Sequence, residues 1–142
     1  STFFTPELNL SRGNYSRQKP DTADKRDIKN AIKFLNKTKP YSHIQGAVGR
    51  NNLVIPEKSK GTQSLLKNIK KQKNKNNGVL VKFPKKKQDS RIDLPTVGLD
   101  TLKQCKSAGL KGIVLKHKSN IFLDKLNSIK FANKNKLFIL VK

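Results

Sequence analysis

The chain has 142 residues, 34% of them apolar, enough for one compact domain with a modest core and too few for two. Its single cysteine, Cys105, excludes an internal disulfide framework, and His43 and His117 have no second thiol or carboxylate at ligand spacing for a structural zinc site. No apolar run approaches the roughly 18 residues that a membrane-spanning helix needs, and no basic-then-apolar signal opens the chain. With no methionine present, a fragment is the simpler expectation, and a reducing compartment such as the cytosol fits the lone thiol.

Lys and Arg number 32 against 9 Asp and Glu, a net charge of +23 that would suit a polyanion. Lys supplies 27 of those 32, alongside abundant Asn and Ile, which is the signature of A/T-rich codons. Surfaces that grip phosphate and stacked bases favour Arg, whose planar fork binds bidentately. The seven Phe and two Tyr are not interleaved with the Lys runs as a base-stacking platform requires. No specific nucleic-acid partner is therefore expected, and a non-catalytic basic module contacting RNA is carried as the alternative.

Residues 1–20, with Pro6, Gly13 and Pro20 and no sustained periodicity, read as a leading segment or linker from an upstream domain. From Thr22 to about Lys37, Ile28, Ala31, Ile32 and Leu35 fall on one face of an amphipathic helix, and Asp21, Asp24 and Asp27 cluster where carboxylates cap. Stretches 43–48 and 52–55 around Gly49-Arg50-Asn51 predict a hairpin. A second helix spans Gly61 to about Gln72 with Leu65, Leu66 and Ile69 inward, followed by a solvated Lys/Asn linker at 73–77. Gly78–Phe83 reads as a buried strand and Pro84–Pro95 as the polar loop leaving it. A third helix is expected after Leu99, capped by Asp100, with Leu102, Cys105 and Ala108 inward and Gly109 ending it. Strands follow at 112–115 and 120–123. Asp124 is read as the cap of a last helix carrying Leu126, Ile129 and Ala132, before a final strand at 137–141. The expected fold class is α/β, a single small domain with a mixed sheet and packed helices.

The nine acids sort by this outline. Asp21, Asp24, Asp27, Asp100 and Asp124 sit at helix starts, and Glu7 lies in the leading segment, which leaves Glu57, Asp89 and Asp93. Asp89 and Asp93 flank Arg91 in one loop after an apolar strand, where α/β proteins place ligands. An arginine kept in so lysine-rich a chain suits bidentate work on carboxylate or phosphate, and an Asp–Arg pair that merely fixes the loop is equally compatible with the spacing.

The block Gly78 to Gly98 (GVLVKFPKKKQDSRIDLPTVG), with Asp100-Thr101, Ala108-Gly109-Leu110 and Gly112-Ile113 after it, resembles the core signature of the LpxI pyrophosphatases. Pro20, Asp27-Ile28, Gln45-Gly46 and Gly61-Thr62 match in outline, so the resemblance spans nearly the whole chain. It implies a two-domain bacterial enzyme of lipid A biosynthesis, with residues 21–142 as its C-terminal catalytic or substrate-binding domain. The implied reaction is hydrolysis of UDP-2,3-diacylglucosamine to 2,3-diacylglucosamine 1-phosphate (lipid X) and UMP, with Mg²⁺ or another divalent cation.

The resemblance further implies catalytic and metal-holding roles for Asp93, then Asp89. Arg91 and Lys82 are expected to clamp the diphosphate, with Gln88 and Thr96 as hydrogen-bonding neighbours and Gly61 and Thr62 at a helix start suited to phosphate. The implied setting is cytoplasmic, with peripheral contact at the inner membrane allowed by the Lys-rich exterior. One departure stands out: where the family usually carries an acidic Glu-Gly-Thr-Asp stretch, this chain has Lys60-Gly61-Thr62-Gln63, and Glu57 aligns with an acid slightly upstream.

Overall fold

The computed structural model describes residues 10–38, 44–71, 76–84 and 95–142. The first of these stretches is not wholly loop, as the sequence suggested. Gly13–Asn14 forms a short strand, β1, because Tyr15 N–H and the pairing of Gly13 with Val141 attach it to the far end of the chain.

Helix α1, Thr22–Lys37, begins in a reciprocal capping box: Asp24 N–H donates to the Asp21 carboxylate at 2.8 Å, and Asp21 N–H donates to that of Asp24 at 2.9 Å. Asp27 is not a third cap. It lies a turn further on and is buried, its carboxylate accepting from Asn52 N–H, and burial raises its carboxyl above the ordinary range.

Strands β2, Gly46–Arg50, and β3, Leu53–Pro56, form the expected hairpin, with the turn one step later than its glycine suggested. Asn51 and Asn52, at φ 53° and 64°, take the two left-handed positions that a tight hairpin turn requires. Gly49 stays in the strand instead, because a Cβ there would collide with the main chain of Asp27 where α1 crosses.

The remaining elements follow in order: α2 (Gly61–Lys71), β4 (Val79–Lys82), β5 (Thr96–Val97), α3 (Leu99–Ser107), β6 (Gly112–Leu115), β7 (Ile121–Phe122), α4 (Lys125–Lys134) and β8 (Phe138–Val141). Among the described residues, six strands make one mixed sheet in the order β1-β8-β6-β4-β2-β3, with β4, β6 and β8 parallel, and β5 and β7 form a separate parallel pair. The α/β expectation holds.

Alternation along the central strands sends Leu80, Ile113 and Ile139 to one face, against α2, α3 and α4. Val79, Val81, Val114 and Phe138 go to the other, which α1 covers. Cys105 is fully buried in the first cluster, and burial pushes its thiol up to about 12, as befits a core residue.

Two local expectations change. Gly98, rather than Asp100, is the cap of α3, and Asp100 sits in its first turn. Asp124 occupies the cap position of α4 in a left-handed conformation, but its carboxylate accepts from the Asn127 side chain rather than from a main-chain N–H. On α4, Leu126 is 75% exposed, whereas Ala132 is buried and Ile129 packs against the core. Among the described residues no helix is long and apolar enough to cross a membrane.

Candidate functional site

The carboxyl ends of the parallel strands are where an open α/β sheet leaves room for a ligand, because connecting segments diverge there. Lys82 ends β4 at this edge with only 7% exposure. A lone ammonium at that depth loses its hydration, so it must find partners or give up its proton.

Two elements supply the partners. Its Nζ donates to Thr62 Oγ1 at 2.6 Å and lies 3.5 Å from Glu57 Oε2. The Thr62 hydroxyl in turn donates to Glu57 Oε2 at 2.7 Å, and Glu57 Oε1 accepts from Gln45 N–H at 2.8 Å. Burial lowers the ammonium's affinity for its proton, and the Glu57 charge opposes that loss.

The backbone around this cluster explains two of the glycines. Gly46 pairs directly with Lys82 across β2 and β4, and a Cβ at Gly46 would stand 2.8 Å from Lys82 Cδ, so the lysine stem fits only beside a glycine. Gly61 opens α2 at φ +81° and spends its N–H on the Lys58 carbonyl at 2.8 Å, which sets the angle at which Thr62 meets Glu57. Below Lys82, the Asn120 side-chain amide donates to the Lys82 carbonyl at 3.2 Å and ties β4 to the segment following β6.

The cluster opens onto a cleft of about 570 Å³, within the range of small-molecule sites, which Thr96, Pro95 and Ile44 help to line. Lys82, Thr62, Gly61 and Thr96, each singled out in the sequence, line this one cleft. Asp93, Asp89, Arg91 and Gln88 lie outside the described residues, in the stretch joining Pro84 to Pro95, and Pro95 borders the cleft.

The described part of the site suits an anion better than a metal ion. Glu57 already accepts from a lysine, a hydroxyl and a main-chain amide, and among the described residues no three His, Cys, Asp or Glu side chains gather as a metal-binding group. The Glu57–Lys82 pairing itself was not foreseen. Its only sequence signals were an acid with no cap to explain it and one cation inside an apolar strand.

Comparison with known proteins sharpens the reading. The sequence model of the LpxI C-terminal domain matches residues 11–140. The chain is also similar to the UDP-2,3-diacylglucosamine pyrophosphatase LpxI of Caulobacter vibrioides, 32% identical over an alignment covering 94% of this chain and 51% of the relative. It spans about half the length of that relative, and neither match lends support to the RNA-binding alternative. A family match reaching from before β1 into β8, around a cleft built on Glu57, Thr62 and Lys82, makes this chain a member of the LpxI C-terminal domain family.

Proposed function

We propose that this chain is the C-terminal, substrate-binding part of an enzyme of lipid A biosynthesis that hydrolyses UDP-2,3-diacylglucosamine to 2,3-diacylglucosamine 1-phosphate and UMP. The observation that supports it best is the buried Lys82–Thr62–Glu57 cluster facing the cleft at the carboxyl edge of the sheet. A diphosphate needs cations and hydroxyl donors fixed before it arrives, since their reorganisation would otherwise be spent at the transition state. Glu57 holds Lys82 in place, and Lys82 and Thr62 meet phosphoryl oxygens.

In this reading water attacks the α-phosphorus, the bond to the bridging oxygen breaks, and the lipid departs with its phosphate. Asp93 orients or deprotonates the water, Asp89 supports it, Arg91 grips the diphosphate as a bidentate donor, and Gln88 and Thr96 hydrogen-bond at the rim. Asp89 and Asp93 are also the residues that would hold Mg²⁺ or another divalent cation, as hard oxygen donors of the right kind. Such an ion would offset charge developing on the phosphoryl oxygens. The other half of the enzyme completes the site, and the enzyme works in the cytoplasm against the inner membrane.

The test is UMP release by the intact enzyme. Asp93→Ala is expected to lower kcat by about 10³-fold with the fold intact, as loss of a principal catalytic group does. Turnover near the wild-type rate would remove Asp93 from the mechanism.

A further inference from the structure

A hydroxyl with a base on one side and a cation on the other is placed to react as well as to bind. Among the described residues, the other hydroxyl donors, Tyr15, Ser16, Thr38, Ser119 and Ser128, give their protons to neutral carbonyl oxygens, whereas Thr62 gives its proton to a carboxylate, Glu57 Oε2. A threonine at a helix start ordinarily spends its oxygen on a main-chain N–H. Thr62, the second residue of α2, turns instead to an acid just past β3 and to the lysine that ends β4.

An alcohol is a weak nucleophile until a neighbouring group takes its proton and a positive charge meets the oxygen left behind. Glu57 is fixed as the base from two directions: Oε1 accepts from Gln45 N–H at 2.8 Å, and the Glu57 N–H donates to the Gly46 carbonyl at 3.0 Å. Lys82 Nζ sits 2.6 Å from Thr62 Oγ1 but 3.5 Å from Glu57 Oε2, so the cation bonds the hydroxyl oxygen more closely than the acid. Were the two charges only neutralising each other, direct contact would serve them better, since charge-assisted N–H···O bonds close to about 2.7–2.9 Å. A hydroxyl oxygen has two lone pairs, and Lys82 engages one of them. Thr62 is half-buried and lines the cleft, within reach of whatever enters it.

We infer that Thr62 is a covalent acceptor, taking the terminal phosphoryl group of an activated phosphate, a nucleoside diphosphate or an acyl phosphate, that enters the cleft. Oγ1 attacks phosphorus and the Oγ1–P bond forms. The bond from phosphorus to the leaving oxygen breaks, the leaving group departs with that electron pair, and the Thr62 proton passes to Glu57. Lys82 offsets charge on Oγ1 during attack and pairs with the ester afterwards. A phosphothreonine carries a charge of about −1.5 to −2 near neutral pH, so the ester occupies the anion position beside Lys82 and bars a second phosphoryl ligand from it.

The experiment exposes this chain, and separately the intact enzyme, to acetyl phosphate or to UDP in buffer containing Mg²⁺, and reads intact mass followed by peptide mapping. The expected result is a gain of one phosphoryl group, mapped to position 62. The label should persist in Thr62→Ser and vanish in Thr62→Val. Glu57→Gln should slow labelling by about 10²-fold or more, the loss that follows removal of a general base. If Glu57→Gln fails to fold, having left Lys82 without its counter-charge, the two substitutions of Thr62 still decide. Labelling by acetyl phosphate alone names an acyl phosphate as the donor, and labelling by UDP names a nucleoside diphosphate. No label from either donor, a label that survives Thr62→Val, or an unchanged rate in a folded Glu57→Gln overturns the inference. Turnover keeps it separate from the function proposed above: an intact enzyme that releases UMP yet never carries the ester sinks the acceptor role alone, whereas one that carries the ester and releases no UMP sinks the pyrophosphatase assignment alone.

Discussion

The sheet buries a cation at each end, and the two are used differently. At the amino ends of β4 and β6, Arg50 is 3% exposed and directs its guanidinium at the protein's own main chain, Nε to the Asn77 carbonyl at 2.9 Å and Nη2 to that of Ala108 at 3.2 Å, with the Asp27 charge nearby. At the carboxyl ends, Lys82 is almost as buried, but its partners are side chains that themselves border a cleft. Arg50 therefore acts as a bolt between two loops, whereas in the function proposed above Lys82 is held ready for a ligand. Burial of charge does not by itself mark a functional residue; where the donors point does.

Substitutions test this contrast directly. In the intact enzyme Lys82→Met is expected to reduce UMP release by about 10²-fold or more, the usual loss when a fixed donor to developing charge is removed, while Arg50→Lys stays within about 3-fold of wild type. Comparable losses at both positions would dissolve the distinction. In urea unfolding the order reverses. Arg50→Met should cost about 2–4 kcal/mol, because it leaves the Asn77 and Ala108 carbonyls without their donor. A gentler probe is Gly46→Ala, whose Cβ would press on Lys82 Cδ. It should raise KM about 10-fold by shifting the ammonium, at a stability cost of about 1–2 kcal/mol from overpacking. An unchanged KM would mean that the position of Lys82 is immaterial.

The smallest effect concerns the ion pair outside both clusters. Lys111 donates to Asp21 at 2.7 Å and holds its carboxyl down from 3.8 to about 2. A depressed carboxyl stabilises the fold above its ordinary pKa and loses that contribution as pH falls toward the folded value. Unfolding free energy should thus drop between about pH 4 and 2, by less than about 1 kcal/mol for so exposed a side chain, and Lys111→Met should flatten that part of the profile.

Much of this fold was legible because apolar periodicity is strong wherever an element is buried on one face. The strands at 79–82 and 112–115 and the stripe Ile28, Ala31, Leu35 needed no tertiary information. Local chemistry misled where tertiary contact took over. Gly49 looked like a turn residue, but it is a glycine because α1 passes over it, and Asn51-Asn52 make the turn. Leu126 fits a helical stripe that α4 does not bury.

At the site, Lys82, Thr62 and Gly61 were reachable through motif resemblance, whereas their union with Glu57 was not. Spacing of 25 residues between Glu57 and Lys82 carries no periodic signal, and it takes the pairing of β2 with both β3 and β4 to make them neighbours.

The attachment of β1 to β8 bears on how this protein can be handled. Gly13–Asn14 supplies the outermost pairing of β8, whose sequence FILV is apolar throughout. A version trimmed to start at the α1 capping box would present that strand as a bare, hydrophobic rim, ready to template the same rim on another molecule. Shortening the amino terminus to tidy the domain would then yield fibrils or precipitate, and it would do so with the cleft and its chemistry untouched.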